Sequence, residues 1–338
     1  MPFRIKVSLA IILLLVVSVV VVPLVVPISP PPDTVPLPAA VARAARPNGR
    51  LVRAEGVDLY TLDTPYAGAG EAPLTFVLLH GYASNAFSFD AVTAGLAQLG
   101  AVMAFDRPGF GLAGRPLPAD FAPGTNPYSQ DAQVAQTVAL LERLPPGRVV
   151  VVVGVNSGGV LALELASRHP ELVSGLVLVG TPAYLLGQGR GAPGWLLATP
   201  QMRRIGPALM RQVAGPPGTQ MYEGAWFDPT AITPAQRAAR AVGTTVDGWD
   251  EALWQVSRVG APASLAGRVA DVTTPTLVLA GAAPGSVPLA ESERLAAELP
   301  HATLVQLQEC GDLPQEECPQ QFVDVTTAWL RSGALPAR

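Results

Sequence analysis

The sequence predicts an α/β fold in which a mostly parallel central sheet is flanked by helices. Two observations predict it. Apolar, strand-like runs alternate with helical patterns through most of the 338 residues, and several runs, such as residues 149–153, are continuously apolar. Strands that are apolar on both faces are typical of a parallel sheet covered by helices on both sides. A chain of this length can bury a large core.

Composition narrows the functional classes. The chain has 22 basic and 26 acidic residues, a net charge of −4 and no basic stripe, which excludes an electrostatically driven nucleic-acid binder. Its 49% hydrophobic content excludes a disordered polyelectrolyte. Two cysteines, Cys310 and Cys318, are too few for a structural zinc site, and we expect no metal and no cofactor. They can form a local disulfide outside the cytoplasm, with two free thiols as the alternative.

The N-terminus carries a predicted membrane segment. Residues 1–6 form a basic head, and residues 7–26 form an uncharged apolar run, long enough for a helix of about 30 Å. The nearest Ala-x-Ala pattern, at residues 40–42, lies far downstream, so we expect an uncleaved signal anchor. Proline-rich residues 27–49 are expected to be a semi-extended tether. The globular domain, residues 50–333, is expected outside the cytoplasm, because an anchor with a short basic head usually translocates the chain on its C-terminal side.

The domain is predicted to contain eight strands and five helices outside the cap. Strands are predicted at residues 51–53, 59–62, 74–79, 101–105, 148–153, 173–179, 276–279 and 303–306. Helices are predicted at residues 87–99, 129–144, 158–168, 288–299 and 315–330. Residues of about 182–270 break the alternation and are predicted to form a helical cap. The cap holds Trp195, Trp226, Trp249, Trp254, Met202, Met210 and Met221, which either pack in a core or line an apolar ligand pocket.

One glycine motif matches a dinucleotide-binding signature. It reads Gly109-Phe110-Gly111-Leu112-Ala113-Gly114 and comes after a predicted strand. Such a site needs a helix to begin at the last glycine, with phosphate at its N-terminus. Pro116 and Pro118 stand there instead and prevent that helix, so the sequence excludes this kind of nucleotide site.

Four other motifs occur in a defined order. Their sequences are Leu78-Leu79-His80-Gly81, Asp106-Arg107-Pro108-Gly109-Phe110-Gly111, Gly154-Val155-Asn156-Ser157-Gly158 and Gly311-Asp312-Leu313-Pro314. From about residue 50 to residue 331 this order resembles the α/β-hydrolase superfamily. The second motif is similar to its dehalogenase, haloperoxidase and carbon–carbon hydrolase branch. The resemblance implies an α/β-hydrolase fold with a helical cap, and a serine, an acid and a histidine beyond the carboxyl ends of the strands.

All three triad-equivalent positions carry other residues. The nucleophile position of the Gly-x-Ser-x-Gly turn is Asn156, and a carboxamide has no proton to lose. The acid position is Pro284. The histidine position is Asp312, whose unperturbed pKa near ~3.9 makes it a weak base for a hydroxyl. We therefore predict a membrane-tethered, catalytically inactive hydrolase homologue, a pseudoenzyme, that binds a small apolar ligand or a protein partner and no nucleic acid.

The alternative is an active esterase-like hydrolase with a displaced nucleophile, Ser157. That shift aims the side chain elsewhere and leaves Val155 where the turn needs glycine. Deamidation of Asn156 to aspartate is a further route, but the resulting ester would still need a base-activated water. The candidate oxyanion-hole and pocket residues are His80, Gly81, Tyr82 and Ser157. The other two histidines, His169 and His301, are expected to lie away from the site.

Overall fold

The computed structural model describes residues 17–18, 21–72, 74–122, 125–185, 193–259, 265–283 and 285–335. The strands of these residues are β1 (Gly49–Ala54), β2 (Val57–Thr64), β3 (Leu74–Leu79), β4 (Ala101–Phe105), β5 (Val149–Val155), β6 (Gly175–Val179), β7 (Thr276–Gly281) and β8 (Ala302–Leu307). They form one sheet in the order β1-β2-β4-β3-β5-β6-β7-β8. The strands β3 to β8 run parallel, and β1 and β2 pair antiparallel at one edge. The predicted fold class is confirmed, and every predicted strand is present.

The helices surround this sheet and build the cap. They are α1 (Val22–Val25), α2 (Leu37–Ala44), α3 (Asp90–Ala97), α4 (Gln130–Leu141), α5 (Ser157–Arg168), α6 (Gly194–Leu197), α7 (Pro200–Ala214), α8 (Pro216–Glu223), α9 (Pro234–Ala241), α10 (Trp249–Val259), α11 (Leu289–Glu298), α12 (Pro314–Glu317) and α13 (Pro319–Arg331). The helices α6 to α10 come after β6 and precede β7. The described part of the predicted cap is therefore helical.

The two faces of the sheet bury separate hydrophobic cores. Along β3, Val77 and Leu79 point to one core, and Phe76 and Leu78 point to the other. The first core is completed by side chains of α4, α5 and α11, and the second by side chains of α3 and α13. Because successive side chains of a strand alternate between faces, only a run that is apolar throughout can serve both cores. This is the physical reason for the continuous valine and leucine runs.

Two segments differ from the sequence prediction. The predicted helix 315–330 is divided into α12 and α13 at Cys318, because Pro319 has no backbone N–H with which to continue the first helix. The predicted tether 27–49 is not extended throughout, since it contains α2. Ala40 in that helix is buried, and Val35 forms a β-bridge with Val246 of the cap. Apolar side chains in this proline-rich stretch thus pack on the domain.

The predicted membrane segment lies largely outside the described residues. Among the helices of the described ranges, none has the length and apolar character needed to cross a bilayer. The end of the segment rests on the cap. The guanidinium of Arg204 in α7 donates to the backbone oxygen of Val26 at 3.0 Å, and that of Arg211 donates to the backbone oxygen of Ser29 at 2.5 Å.

Candidate functional site

The turn between β5 and α5 holds one residue in a strained backbone conformation. Asn156 lies at its apex with φ 51° and ψ −119°, which costs a non-glycine residue about 1–3 kcal/mol. Its backbone N–H donates to the oxygen of Val179 at 2.8 Å, and its carbonyl accepts from the N–H of Gly159 at 2.9 Å. The neighbouring strand and the following helix therefore hold the residue in place. Asn156, the predicted nucleophile-equivalent residue, is therefore the strained residue between the strand and the helix.

Two glycines set the register of this turn. A Cβ on Gly154 would lie 2.5 Å from the Cα of Gly159, and a Cβ on Gly158 would lie 2.2 Å from the backbone oxygen of Leu79. Both contacts are with backbone atoms, so no rotation of a side chain can relieve them. Glycine is needed at positions 154 and 158, and the residue midway between them is Asn156. Ser157 is instead the first residue of α5.

The side chain of Asn156 accepts a hydrogen bond from the next backbone amide along the chain. Its Oδ1 accepts a hydrogen bond from the backbone N–H of Ser157 at 2.8 Å. Gly81, in the turn after β3, packs against Asn156. A Cβ added to Gly81 would lie only 3.3 Å from the Cβ of Asn156. In an acyl-transfer site, backbone amides at these two turns are the donors that stabilise an oxyanion. Here one of the two already has an acceptor.

Ser157 contacts a buried arginine. The Nη2 of Arg107 donates to the Oγ of Ser157 at 2.9 Å, and its Nη1 donates to the Oε1 of Gln133 at 3.2 Å. Burial lowers the pKa of Arg107 to about 10, so the guanidinium remains charged at neutral pH. A cation at this distance stabilises an alkoxide, but it takes no proton from the hydroxyl. Among the described residues, the hydrogen-bond partner of the Ser157 hydroxyl is therefore a cation and not a base.

His80 is fully buried, and its hydrogen bonds define its tautomer. Its Nε2 lies 3.0 Å from the backbone nitrogen of Arg107, and its Nδ1 lies 2.7 Å from the oxygen of Gly81. Because a backbone N–H can only donate, Nε2 is the acceptor and Nδ1 carries the proton. Burial, and then the charge of Arg107, hold the pKa of His80 well below its usual range. A neutral histidine with both nitrogens engaged connects two turns and is not a free general base.

The carboxylate of Asp312 is held by the loop after β7. Its Oδ2 accepts from the backbone N–H of Ser286 at 2.5 Å and from the Oγ of Ser286 at 2.6 Å. The backbone N–H of Asp312 donates to the oxygen of Ala225 in the cap at 2.7 Å. Pro284, the acid-equivalent position on the same loop, lies outside the described residues. The group at the histidine position is therefore engaged by a neighbouring serine.

A disulfide closes the loop that carries Asp312. Cys310 and Cys318 are bonded, with their Cα atoms 6.2 Å apart, and the loop between them includes Gly311 and Glu317. Glu317 accepts from the backbone N–H of Gly311 at 2.7 Å and from that of Asp228 in the cap at 2.8 Å. Of the two states that the sequence left open for the cysteines, the structure has the bridged one.

Two of the predicted triad-equivalent residues, Asn156 and Asp312, lie in the described part of the chain. Across the described parts of the chain, no hydrogen bond joins Asp312 to Asn156 or to Ser157. In the same parts, no group of three His, Cys, Asp or Glu side chains is arranged to hold a metal ion. His169 and His301 lie on other elements: His169 caps the end of α5, and His301 immediately precedes β8.

A cavity of about 400 Å³ lies under the cap, beside these turns. Its walls are mainly apolar and include Tyr82, Phe110, Met221, Trp249 and Leu253. Asn156, Ser157 and Asp312 do not line it, although Tyr82 is the next residue after Gly81, which packs on Asn156.

Of the cap tryptophans and methionines singled out in the sequence, only Trp249 and Met221 line this cavity. Trp226 and Trp254 are buried within the cap, and Trp195 is 74% exposed. The structure therefore places most of these residues outside the cavity wall.

Sequence reasoning missed three polar residues of this region. Arg107 stands in the second of the four ordered motifs, but nothing in the pattern indicated that its guanidinium reaches Ser157. Ser286 stands in the segment that carries Pro284, the predicted acid-equivalent position, but the pattern gave it no role, and Arg240 stands in a segment without a motif. Their contacts with Asp312 and with the cavity depend on how the β7 loop and the cap fold back, and no local signal reports this.

The comparisons with known proteins agree on a family. The sequence model of the Alpha/beta hydrolase family matches residues 76–325. A pimeloyl-[acyl-carrier protein] methyl ester esterase of Aromatoleum aromaticum is 30% identical over 223 residues, which are 60% of this chain and 83% of that protein. A 2-hydroxy-6-oxo-2,4-heptadienoate hydrolase of Pseudomonas putida is 28% identical over 294 residues, 83% of this chain and 96% of that protein.

Shorter matches and a solved structure complete the comparison. Other curated esterases match over less than half of their own length. The structure of a membrane phospholipase A superposes with a TM-score of 0.64 at 19% identity, covering 97% of this chain and 98% of that chain. This structural likeness concerns the fold.

Proposed function

Because the chain belongs to the α/β-hydrolase family, we propose that it keeps the family's ligand site and lacks its serine–histidine–acid chemistry. One observation carries the proposal. Asn156 occupies the strained apex of the turn between β5 and α5, and its side-chain Oδ1 accepts a hydrogen bond from the backbone N–H of Ser157 at 2.8 Å. A carboxamide supplies no nucleophile. The amide that would stabilise an oxyanion already has an acceptor, so the turn offers neither of the two functions that acyl transfer requires of it.

The proposed role is binding of a small apolar ligand under the cap. The cavity beside Tyr82 has walls of Phe110, Trp249 and Leu253, which pack together as a cluster. A largely preformed, mostly apolar cavity of this size is typical of a small-molecule site. Ligand binding needs only this cavity and makes no demand on Asn156 or Asp312.

The second candidate function is hydrolysis of a carboxylic ester that begins at Ser157. The curated relatives favour it, because the matches include several proteins named as esterases. The geometry adds one argument: the guanidinium of Arg107, 2.9 Å from the Oγ of Ser157, stabilises a developing alkoxide. The names of the relatives support this candidate better than the first, and the arrangement around Asn156 supports the first.

Labelling of the full chain with a fluorophosphonate probe separates the two functions. We expect no stoichiometric attachment, because within the described residues the Ser157 hydroxyl is hydrogen-bonded to Arg107 and to no base. The mass of the intact protein and of its peptides measures the outcome. Ser84, which lines the cavity, supplies the matched control through Ser84→Ala. Full labelling that survives Ser84→Ala and disappears in Ser157→Ala would establish the esterase and end the first proposal.

We also propose that residues 7–26 anchor the chain in a membrane, with the domain outside the cytoplasm. The proposal rests on the uncharged apolar run and on the basic head that precedes it. Arg204 and Arg211 contact the backbone at the end of this run and just beyond it, which keeps the cap next to the anchor.

An alkaline wash of membranes tests the anchor. The unaltered chain should remain in the pellet. Leu14→Lys combined with Val17→Lys should release it, because each charge at the centre of a membrane helix costs about 2.5–3.5 kcal/mol. Asp33→Lys, a basic change beyond the run, is the control and should stay bound. Release of the unaltered chain would refute the anchor.

A further inference from the structure

Two arginines of the described residues line the cavity under the cap, and they differ in how they are paired. They are Arg237 and Arg240, both of α9. The Nη1 of Arg237 is paired with the Oε1 of Glu223 at 2.6 Å. Within the described ranges, no carboxylate lies within 4.0 Å of the guanidinium of Arg240, and that guanidinium donates no hydrogen bond. Its close neighbour is the ring of Tyr222, whose centroid is 4.3 Å away.

The acid whose charge acts on Arg240 is already engaged by two hydroxyl groups. Glu316 interacts with Arg240 through space, but its oxygens accept hydrogen bonds from the hydroxyls of Ser88 and Tyr222. Burial lowers the pKa of Arg240 below its usual value, which reflects the cost of a charge held away from water. An anion bound beside this half-buried guanidinium would therefore offset part of the free-energy cost of its desolvation.

The position of Arg240 is fixed before any ligand binds. The Nδ2 of Asn85, in the turn after β3, donates to the backbone oxygens of Ala239 at 2.9 Å and Arg240 at 3.3 Å. At its other end, α9 begins with a capping box formed by Thr233 and Gln236. The backbone that carries Arg240 is therefore held at both ends of the helix, so ligand binding needs no rearrangement of it.

We infer that the cavity binds an amphiphilic carboxylate, with its apolar chain against Phe110, Trp249 and Leu253 and its carboxylate on Arg240. A planar guanidinium matches a carboxylate through paired hydrogen bonds, and both bonds are charge-assisted. The mainly apolar walls accept an alkyl or acyl chain and offer little to a strongly hydrated sugar or nucleotide. This ligand class deepens the proposed binding function and rests on it.

Two ligands of equal chain length test whether a negative charge on the ligand strengthens binding. Hexanoate and hexan-1-ol are both soluble in water, and each is titrated into the full-length chain while calorimetry and tryptophan fluorescence are followed. Trp249 lines the cavity, so its fluorescence reports occupancy. We expect hexanoate to bind about tenfold more tightly than hexan-1-ol, as a charge-assisted pair in a partly desolvated site should. This comparison requires no variant.

Variants assign the difference to one side chain. Arg240→Met should remove the tenfold preference for hexanoate over hexan-1-ol. Arg237→Met is the matched control on the same helix, and it should keep the preference because Arg237 is already paired.

Three results would contradict the inference in distinguishable ways. Equal affinity for the two probes, or an unchanged preference in a folded Arg240→Met protein, overturns the carboxylate site and leaves the ligand-binding function standing. Binding of neither probe by the folded chain overturns both.

Discussion

Restoration of the three triad groups should create an esterase. A chain with Asn156→Ser, Pro284→Asp and Asp312→His should hydrolyse p-nitrophenyl butyrate about a thousandfold faster than the unaltered chain. The turn already holds residue 156 in the strained conformation, with φ 51° and ψ −119°. Removal of the Asn156 carboxamide also frees the Ser157 amide for an oxyanion. A general base contributes about 10²–10⁴-fold in rate and an oxyanion donor about 10²–10³-fold, so a thousandfold gain requires only part of their combined effect.

Controls show whether the gain comes from the intended serine. The same chain with Asn156→Ala in place of Asn156→Ser should be inactive, and Ser157→Ala added to the rebuilt chain should keep most of the activity. Initial rates at fixed enzyme concentration are the measurement. A rebuilt chain no faster than the unaltered one would show that the turn no longer presents a reactive side chain, against its observed geometry.

Replacement of His80 should change the acid stability of the protein. His80→Gln keeps the acceptor for the Arg107 amide and loses the donor to Gly81, at an expected cost of about 1–3 kcal/mol at neutral pH. The native pKa of His80 is held well below its usual value of 6.5. Below that value the unfolded chain binds a proton that the native protein does not, so stability falls as the pH falls. The slope for one such group is up to about 1.4 kcal/mol per pH unit.

The test is the difference between two profiles of unfolding free energy from pH 4 to pH 8. Burial raises the pKa of Asp106 to about 7, despite its hydrogen bonds from the amides of Leu112 and Ala86. Asp106 changes the unfolding free energy in the opposite direction. Its stabilising contribution is complete below the pKa that it has in the unfolded chain, and it is lost as the pH rises towards 7. Subtraction of the His80→Gln profile from that of the unaltered protein isolates the contribution of His80 to the pH dependence of stability. His301→Gln, which removes an exposed histidine, should keep the acid slope. An acid slope that persists in His80→Gln would refute the assignment.

Local pattern was sufficient for most of the fold. Every strand was predicted to within two residues at each end, because an apolar run bounded by glycine or proline leaves little choice of element. The division of the last helix at Cys318 was missed, although Pro319 was the signal. Packing of residues 35–44 on the domain was also missed, because a proline-rich composition does not report which of its apolar side chains will find a core.

The candidate site separates into a part that sequence could predict and a part that it could not. The glycines at 154 and 158 centre the turn on Asn156, and their spacing is visible in the sequence because close packing of strand and helix allows no Cβ there. The partners of the side chains around the turn were not predictable. Arg107 and Ser157 are 50 residues apart, and Asp312 and Ser286 are 26 apart, so no local pattern records either contact.

By itself, the sequence determined the fold class and the order of the strands along the chain, and it predicted which residues stand at the triad-equivalent positions. These come from alternation, spacing and residue type, which are properties of neighbouring residues. Only the tertiary structure decided that the Ser157 amide donates to Asn156, that Asp312 is held by Ser286, and that Arg240 lines an apolar cavity with no carboxylate within 4.0 Å among the described residues. Each of these depends on the distances between particular atoms, most of them from separate segments, and packing sets such distances.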